Sequence, residues 1–415
     1  MADKLIVNDN LVKLCTQLVR SVLEFKVPTD ALLSKFFRDN RKISTTQRGV
    51  IAETAYVLLR NYNKITSVID IKHTYSIIAY VWLHWLHITK DDLILLKTVN
   101  ANLITGIPAP DQSIIELPDW IVKRLKSYLP ENEIHSLSKA MEQQAPLTLR
   151  ANTLKMSVNE ILKSLSEMGI AATATKYSPY GITLVNKLDL IKNRLFLEGA
   201  IEVQDEASQL AGMLLMPKRS DMVVDFCAGS GGKTLLFGML MKNSGRIYAF
   251  DINERRLGNL SPRLARSGLS NVYPQLIESE NDNRVKRLHG KIDCVFVDAP
   301  CLGLGTLRRN PDLKFRYNEE SLKQINEQQL SILTAASKLL KPGGRLVYAT
   351  CSILQEENQD IVNQFLLNEN GFSLMDLTDY YDIETLELTD KKFLSLNPAR
   401  HGTDGFFAAL LVKNL

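Results

Sequence analysis

Two cysteines carry the sharpest chemical signal in the chain. Cys301 ends Asp298-Ala-Pro-Cys301 and Cys351 ends Thr350-Cys351, and each follows an apolar run with the composition of a buried strand, Cys294 to Asp298 and Arg345 to Thr350. In a parallel sheet the carboxyl ends of the strands share one edge, so two thiols that close two such strands emerge on the ligand side. Cysteine is a common small apolar filler of strands. A pair at equivalent strand ends, one behind Asp-Ala-Pro, points instead to thiolate chemistry. The ligand is indicated by Val223-Val-Asp-Phe-Cys-Ala-Gly-Ser-Gly-Gly-Lys-Thr234, a strand ending in Asp225 that breaks into a turn of Cys227, Ala228, Gly229, Ser230, Gly231 and Gly232, with Lys233 at a helix start. Glycines there let backbone amides approach a cofactor at a helix N-terminus. Asp251, about 20 residues past the loop, stands where an acid grips ribose hydroxyls.

The same loop imitates another motif. Gly232-Lys233-Thr234 looks like the end of a phosphate-binding P-loop and Val295-Phe-Val-Asp298 like its magnesium strand. A P-loop needs glycine five positions before Gly232, and residue 227 is cysteine, which argues against an ATPase or GTPase.

The elements that must position these residues are four strands, Met222 to Phe226, Arg246 to Asp251, Cys294 to Asp298 and Arg345 to Thr350, alternating with helical stretches. That is the pattern of an α/β fold with a doubly wound, mostly parallel sheet. Leu322, Ile325, Leu330, Leu333, Ala336 and Leu340 repeat at helical spacing, and Lys341-Pro-Gly-Gly is expected to end that helix. Ahead of the sheet, Pro146 to Lys155 reads as a strand, Ser157 to Met168 as a capped helix and Ala172 to Val185 as a hairpin broken by Ser178-Pro-Tyr-Gly. Arg150 and Lys155 either contact phosphate or line a solvated strand face. Residues up to about 105 read as helical, with Asn8 to Phe25, Val27 to Asn40 and Thr45 to Tyr62 as segments and Trp82 and Trp85 in their core. Gly106-Ile-Pro-Ala-Pro-Asp-Gln-Ser is the candidate linker. The expected domains are 1–115, helical; 116–200, a small α/β RNA-binding unit; and 201–415, the catalytic sheet.

Composition narrows the class. A chain of 415 residues, 45% of them hydrophobic, can build two or three cored domains. A net charge of +4 is compatible with a nucleic-acid partner without requiring one. The five cysteines (15, 227, 294, 301 and 351) form no CxxC pair, so neither a disulfide framework nor a metal site is expected. Met1-Ala-Asp-Lys begins no signal peptide, and the apolar stretch Ser76 to Ile88 is interrupted by His84 and His87 and is too short to span a bilayer. The expected location is the cytoplasm, with no membrane partner.

Long ordered runs resemble the RNA cytosine-carbon-5 methyltransferases of the Nop/Sun type, and within them the bacterial branch acting on small-subunit ribosomal RNA. They are Leu149-Arg-Ala-Asn-Thr153, Val203-Gln-Asp-Glu-Ala-Ser208, the cofactor loop, Asp298 to Lys314, Tyr348 to Asn358 and Asp404-Gly-Phe-Phe407. The resemblance implies a Rossmann-like class I methyltransferase domain, S-adenosylmethionine as cofactor, RNA, above all ribosomal RNA, as partner, and a NusB-like helical module at the N-terminus. A monomer is expected. Cytosine carbon 5 is too weak a nucleophile to take a methyl group until a thiolate adds to carbon 6. By the resemblance Cys351 is that nucleophile, Asp298 the ring-nitrogen partner that also lines the cofactor, and Cys301 the thiol that assists release. The Pro-Cys thiol of DNA cytosine methyltransferases would select Cys301 instead. Lys233 is expected to lower a cysteine pKa.

Two departures matter. The family's loop reads Cys-Ala-Ala-Pro-Gly-Gly-Lys, and here Gly229-Ser230 replace Ala-Pro, so a non-catalytic RNA-binding homologue is the alternative. Glu278, Glu280 and Asp282 all remain candidates for the adenine side. Thr306 to Arg316, with four cations and Phe315, is expected to touch RNA phosphates and stack a base.

Overall fold

The computed structural model describes residues 7–185, 189–382, 386–387 and 390–415; the Met1 to Lys4 start lies outside them. The chain forms two compact units, one running to Gln144 and including Leu307–Asn318, the other comprising Ala145–Thr306 and Glu319–Leu415.

The first unit is helical. Asp9–Val22 starts where Asn8 Oδ1 accepts from Leu11 N, and Thr45–Arg60 starts with a reciprocal Ser44–Gln47 capping box. Both helices turn apolar stripes inward, Leu11, Cys15, Leu18 and Val22 against Ile51, Ala55, Leu58 and Leu59. Trp82 is fully buried and donates Nε1–H to Thr54 Oγ1 at 2.8 Å, while Trp85 packs half-buried beside it, so both tryptophans belong to the core. The first helix stops short of the expected Phe25, which has φ +52°, a left-handed conformation that cannot continue a helix.

The polar segment after Ile107 leads to Glu116, which is buried and accepts backbone amides from Asn63 and Lys64 at 3.1 and 2.8 Å. Helices Asp119–Leu125 and Glu131–Met141 follow within the same unit. The expected RNA-facing segment is packed here too. Lys314 Nζ donates to the Glu116 carbonyl at 2.7 Å and pairs with its carboxylate at 3.3 Å, and Phe315 stacks on Phe25 with centroids 4.6 Å apart. Arg308 is buried and its carbonyl accepts from Arg60. These three residues therefore brace the helical unit instead of meeting phosphate or a base. Chemically the segment had to go this way: a buried carboxylate needs a cation, and Phe315 supplies an apolar ring.

The second unit holds two sheets. Strands β1 (Leu147–Ala151), β2 (Ala172–Ala174), β3 (Gly181–Leu184) and β4 (Ile201–Val203) form a small antiparallel sheet in the order β2-β3-β1-β4, covered by the helix Val158–Glu167. Arg150 is neither a phosphate ligand nor part of a solvated strand face, while Lys155 lies past the end of β1 and is exposed. Arg150 is buried and donates to Gln204 Oε1 and, at 2.7 Å, to the Gly232 carbonyl, and Lys155 Nζ donates to the carbonyls of Glu198 and Arg266.

The large sheet comprises β5 (Met222–Asp225), β6 (Arg246–Asp251), β7 (Val272–Leu276), β8 (Ile292–Asp298), β9 (Leu340–Thr350), β10 (Phe372–Leu374), β11 (Phe393–Leu396) and β12 (Phe406–Lys413). Its order is β10-β12-β9-β8-β5-β6-β7, with β11 also on β12; β5 to β9 are parallel and β12 runs antiparallel to β9. The chain goes from β5 to one side, into β6, and returns to the other, into β8, so the switch point lies between β5 and β8. The helix Glu319–Ser337 ends before Leu340, and Lys341-Pro-Gly-Gly lies within β9, not at the helix end: Ile292 faces Leu340 while Cys294 already faces Arg345. Gly343, at φ +73°, accommodates that bulge.

Replacing Lys314 by alanine leaves the Glu116 carboxylate buried without its cation. Lys314→Ala is expected to cost about 3–5 kcal/mol, read as a fall in the urea midpoint of the helical unit; an unchanged midpoint would refute the bracing role.

Candidate active site

The site is assembled at the carboxyl ends of β5, β6, β8 and β9. Just past β5, Phe226 N donates to Phe296 O on β8 and Ala228 N to Phe250 O on β6, both at 2.8 Å, so the glycine loop is suspended across the switch point by its own backbone. Gly229 and Gly231 have φ of +56° and +81°. A side chain at Gly231 would place its Cβ 2.1 Å from Leu260 Cδ1, whereas at Gly229 it would meet nothing within 4 Å. Gly231 is held to glycine by its left-handed backbone, with Leu260 packed against it, and Gly229 leaves open space over the loop, as a bound ligand would need. Helix Gly232–Leu240 follows directly, with its N-terminal amides at the loop.

Two buried acids and a thiol adjoin the loop. Asp251 is buried, with Oδ2 accepting from Gly229 N and Oδ1 from Asn253 N, both at 2.7 Å, which orients the carboxylate and leaves further lone pairs. Asp225 is 1% exposed; Oδ2 accepts from Thr234 Oγ1 at 2.6 Å and Oδ1 has no hydrogen-bond partner among the described residues. An orphaned buried carboxylate oxygen beside a glycine loop fits a cationic or hydrogen-bond-donating group of a cofactor. Burial pushes its pKa up to about 7 against the Thr234 hydrogen bond. Burial, followed by the charge of Asp298, also holds the Cys227 thiol well above its ordinary value.

Lys233 does not reach a thiol. Its Nζ lies 2.7 Å from Asp298 Oδ2, and the rings of Phe406 and Phe296 lie 4.9 and 5.7 Å from the ammonium. The ammonium is instead paired with the nearest carboxylate, that of Asp298.

The two cysteines come together. Their Sγ atoms are 3.4 Å apart, because β8 and β9 pair in parallel with Asp298 opposite Ala349 and each cysteine lies just beyond that pair. The contact with Cys351, then burial, drives the Cys301 pKa well above the thiol range. Gly305 N donates to Cys351 O at 2.9 Å and Gly405 N to Gly305 O at 2.8 Å, and a Cβ on Gly305 would stand 2.1 Å from Gly405 O. Gly305, Gly405 and Phe406 belong to the site but have no reactive group to reveal it; their signal is their place in the runs Asp298 to Lys314 and Asp404 to Phe407.

Of the three adenine-side candidates, Asp282 caps its own turn, accepting from Glu278 N at 3.0 Å and Arg284 N at 2.7 Å, and Glu280 accepts from Ser331 Oγ at 2.7 Å. Glu278 follows Ile277, whose N donates to Asp251 O at 3.0 Å. Among the described residues no group of three or more His, Cys, Asp or Glu side chains is arranged to hold a metal ion, and no helix is long and apolar enough to cross a membrane.

The parallel sheet with its antiparallel β12, the glycine loop at the switch point and the acid ending β6 define an S-adenosylmethionine-dependent methyltransferase of the Rossmann-like class. The chain is 34% identical over 297 residues to ribosomal RNA small subunit methyltransferase B of Shewanella oneidensis, a match covering 71% of this chain and 67% of the relative. With the probable small subunit methyltransferase B of Synechocystis it shares 33% over 298 residues, covering 71% and 66%. The matches to the curated relatives thus span about two thirds of their length, 65% in Proteus mirabilis. Residues 212–412 match the family model of 16S rRNA methyltransferase RsmB/F, and 117–190 that of the RsmF/B-like ferredoxin-like domain; the chain belongs to this family. The crystal structure of PH0851 superposes with TM-score 0.80 at 26% identity, covering 99% of this chain and 100% of that one. A methyltransferase homologue from Pyrococcus horikoshii superposes with TM-score 0.59 at 29% identity, covering 72% and 100%.

Raising Asp225 from 3.8 to about 7 means the folded protein keeps a proton that the unfolded chain releases. Its contribution to stability is therefore complete below pH 3.8 and lost as pH rises toward 7. Asp225→Asn should flatten the decline of unfolding free energy across that window in urea titrations; parallel slopes for mutant and wild type would contradict the assignment.

Proposed function

We propose that the protein transfers the methyl group of S-adenosylmethionine to carbon 5 of a cytidine in RNA, with small-subunit ribosomal RNA as substrate, through a covalent cysteine–cytosine intermediate. The observation that carries this reading is the pair of thiols 3.4 Å apart beside an aspartate that is itself paired to a lysine at 2.7 Å. A methyltransferase acting on oxygen or on an exocyclic nitrogen needs no thiol at all. Carbon 5 of a pyrimidine does, because only addition of sulfur to carbon 6 makes it nucleophilic.

In this mechanism Cys351 supplies the thiolate that forms the bond to carbon 6, and the electron pair of the 5,6 double bond moves toward ring nitrogen 3. Asp298, steadied by Lys233, faces that developing charge through a proton held between carboxyl and ring nitrogen. The cofactor's contribution is an electrophilic methyl on a sulfonium. Once carbon 5 carries it, a base accepts the proton from carbon 5, the freed electron pair re-forms the 5,6 double bond, and the bond from carbon 6 to the Cys351 sulfur breaks with its pair returning to sulfur. Cys301 is the thiol that assists this release. The Cys301 pKa, raised by the contact with Cys351 and by burial, supports its standing as the S–H partner. Asp251 takes the ribose hydroxyls, Asp225 and the amides of residues 227–233 the amino-acid end, and Glu278 the adenine side, since Glu280 and Asp282 already have partners.

Asp251→Ala is expected to weaken S-adenosylmethionine binding by roughly 1.5–3 kcal/mol, on the order of tenfold to a hundredfold. Calorimetry reads it, and an unchanged dissociation constant removes Asp251 from the cofactor site. The thiols are assigned by a denaturing gel after incubation with RNA and cofactor. Cys351→Ala should neither methylate nor form an adduct, whereas Cys301→Ala should accumulate a stable protein–RNA adduct. The opposite pattern would make Cys301 the nucleophile, and no adduct in either would refute covalent catalysis.

A further inference from the structure

The β8–β9 ladder brings both cysteines to one edge, and backbone bonds join the loops that carry them beyond it. Ala299 N donates to Ala349 O and Gly305 N to Cys351 O, both at 2.9 Å, and Sγ meets Sγ at 3.4 Å. Behind them lies Glu357, fully buried at the end of the short turn Gln355–Glu357. Its Oε1 accepts from the backbone N of Leu302, the residue after Cys301, at 2.8 Å, and its Oε2 accepts from Ser352 Oγ, the residue after Cys351. Gln329, also fully buried, closes the arrangement: its Nε2 donates to Glu357 Oε1 at 3.2 Å and to Pro300 O, on the other side of Cys301, at 2.9 Å. Tyr348 OH fixes the glutamate's own backbone by donating to Glu357 O at 2.7 Å.

A buried carboxylate without a cation is costly to keep, and it persists only where several donors converge on it. Here the donors come from both cysteine loops. We infer that Glu357 is a positioning residue for the reaction, tying the loop of Cys301 to the loop of Cys351 so that the thiols remain in contact. The inference rests on the reading of these thiols as the reacting pair. Glutamine at 357 keeps the tie, its carbonyl accepting from Leu302 N and its amide donating to Ser352 Oγ. Alanine cuts both arms.

The test uses the full chain and phenylarsine oxide, which bridges two adjacent thiols by forming two As–S bonds and releasing water, with no change of oxidation state. Wild type should take up one equivalent, lost in a Cys301→Ser control. Glu357→Ala should bind the arsenical at least about tenfold more weakly and lose on the order of a hundredfold in kcat, with S-adenosylmethionine affinity unchanged, and Glu357→Gln should restore both. Should Glu357→Ala fail to fold, Ser352→Ala cuts only the Cys351 arm and must show the same weakening. Wild-type arsenical affinity in the folded alanine variants would overturn the inference. Failure of the functional reading shows differently, as intact arsenical binding in a wild-type protein that methylates no cytidine.

Discussion

Parallel pairing of β5, β8 and β9 is the constraint on which the rest of the site depends. Asp225 faces Phe296 and Asp298 faces Ala349, so strands far apart in sequence end side by side, and the groups they carry are delivered to one edge without any local sequence encoding their proximity. The helix dipole at Gly232 and the suspended loop amides add a site for a polar ligand at that same edge. Antiparallel β12 then closes the far side, bringing Gly405 against Gly305 and the Phe406 ring beneath Lys233.

Within that frame charge is handled locally. Lys233 neutralises Asp298, Arg263 and Arg266 neutralise the buried Glu202 at 3.0 and 2.5 Å, and Lys314 neutralises Glu116 in the other unit. Glu202 and Glu116 are buried and need these cations, which is why several cations in this chain are structural. Arg150, Lys155, Arg308 and Lys314 all look like phosphate ligands in one dimension. In three they are occupied by carbonyls, an amide oxygen and carboxylates, or buried.

What sequence could reveal divides along the same line. The four strands that position Asp225, Asp251, Asp298 and Cys351 were legible because buried parallel strands are continuous apolar runs ended by functional residues. The meeting of Cys301 and Cys351 at one edge followed from their equivalent positions in those runs. Strand β7 was hidden by Pro274 and by its exposure, both tolerated only at a sheet edge, and the β9 bulge was mistaken for a helix stop because Pro-Gly-Gly signals a turn in either context. The partner of Lys233 and the destination of Lys314 were not legible, since periodicity reports which face is buried and says nothing of what a buried cation meets.

The central claim is that this site methylates carbon 5 of an RNA cytidine. Incubating the purified protein with unmethylated small-subunit ribosomal RNA and trideuteromethyl S-adenosylmethionine, then digesting to nucleosides for mass spectrometry, tests it directly. The account predicts the deuterated methyl in 5-methylcytidine alone. Label in an N4- or 2′-O-methyl nucleoside, or in no nucleoside, would contradict it.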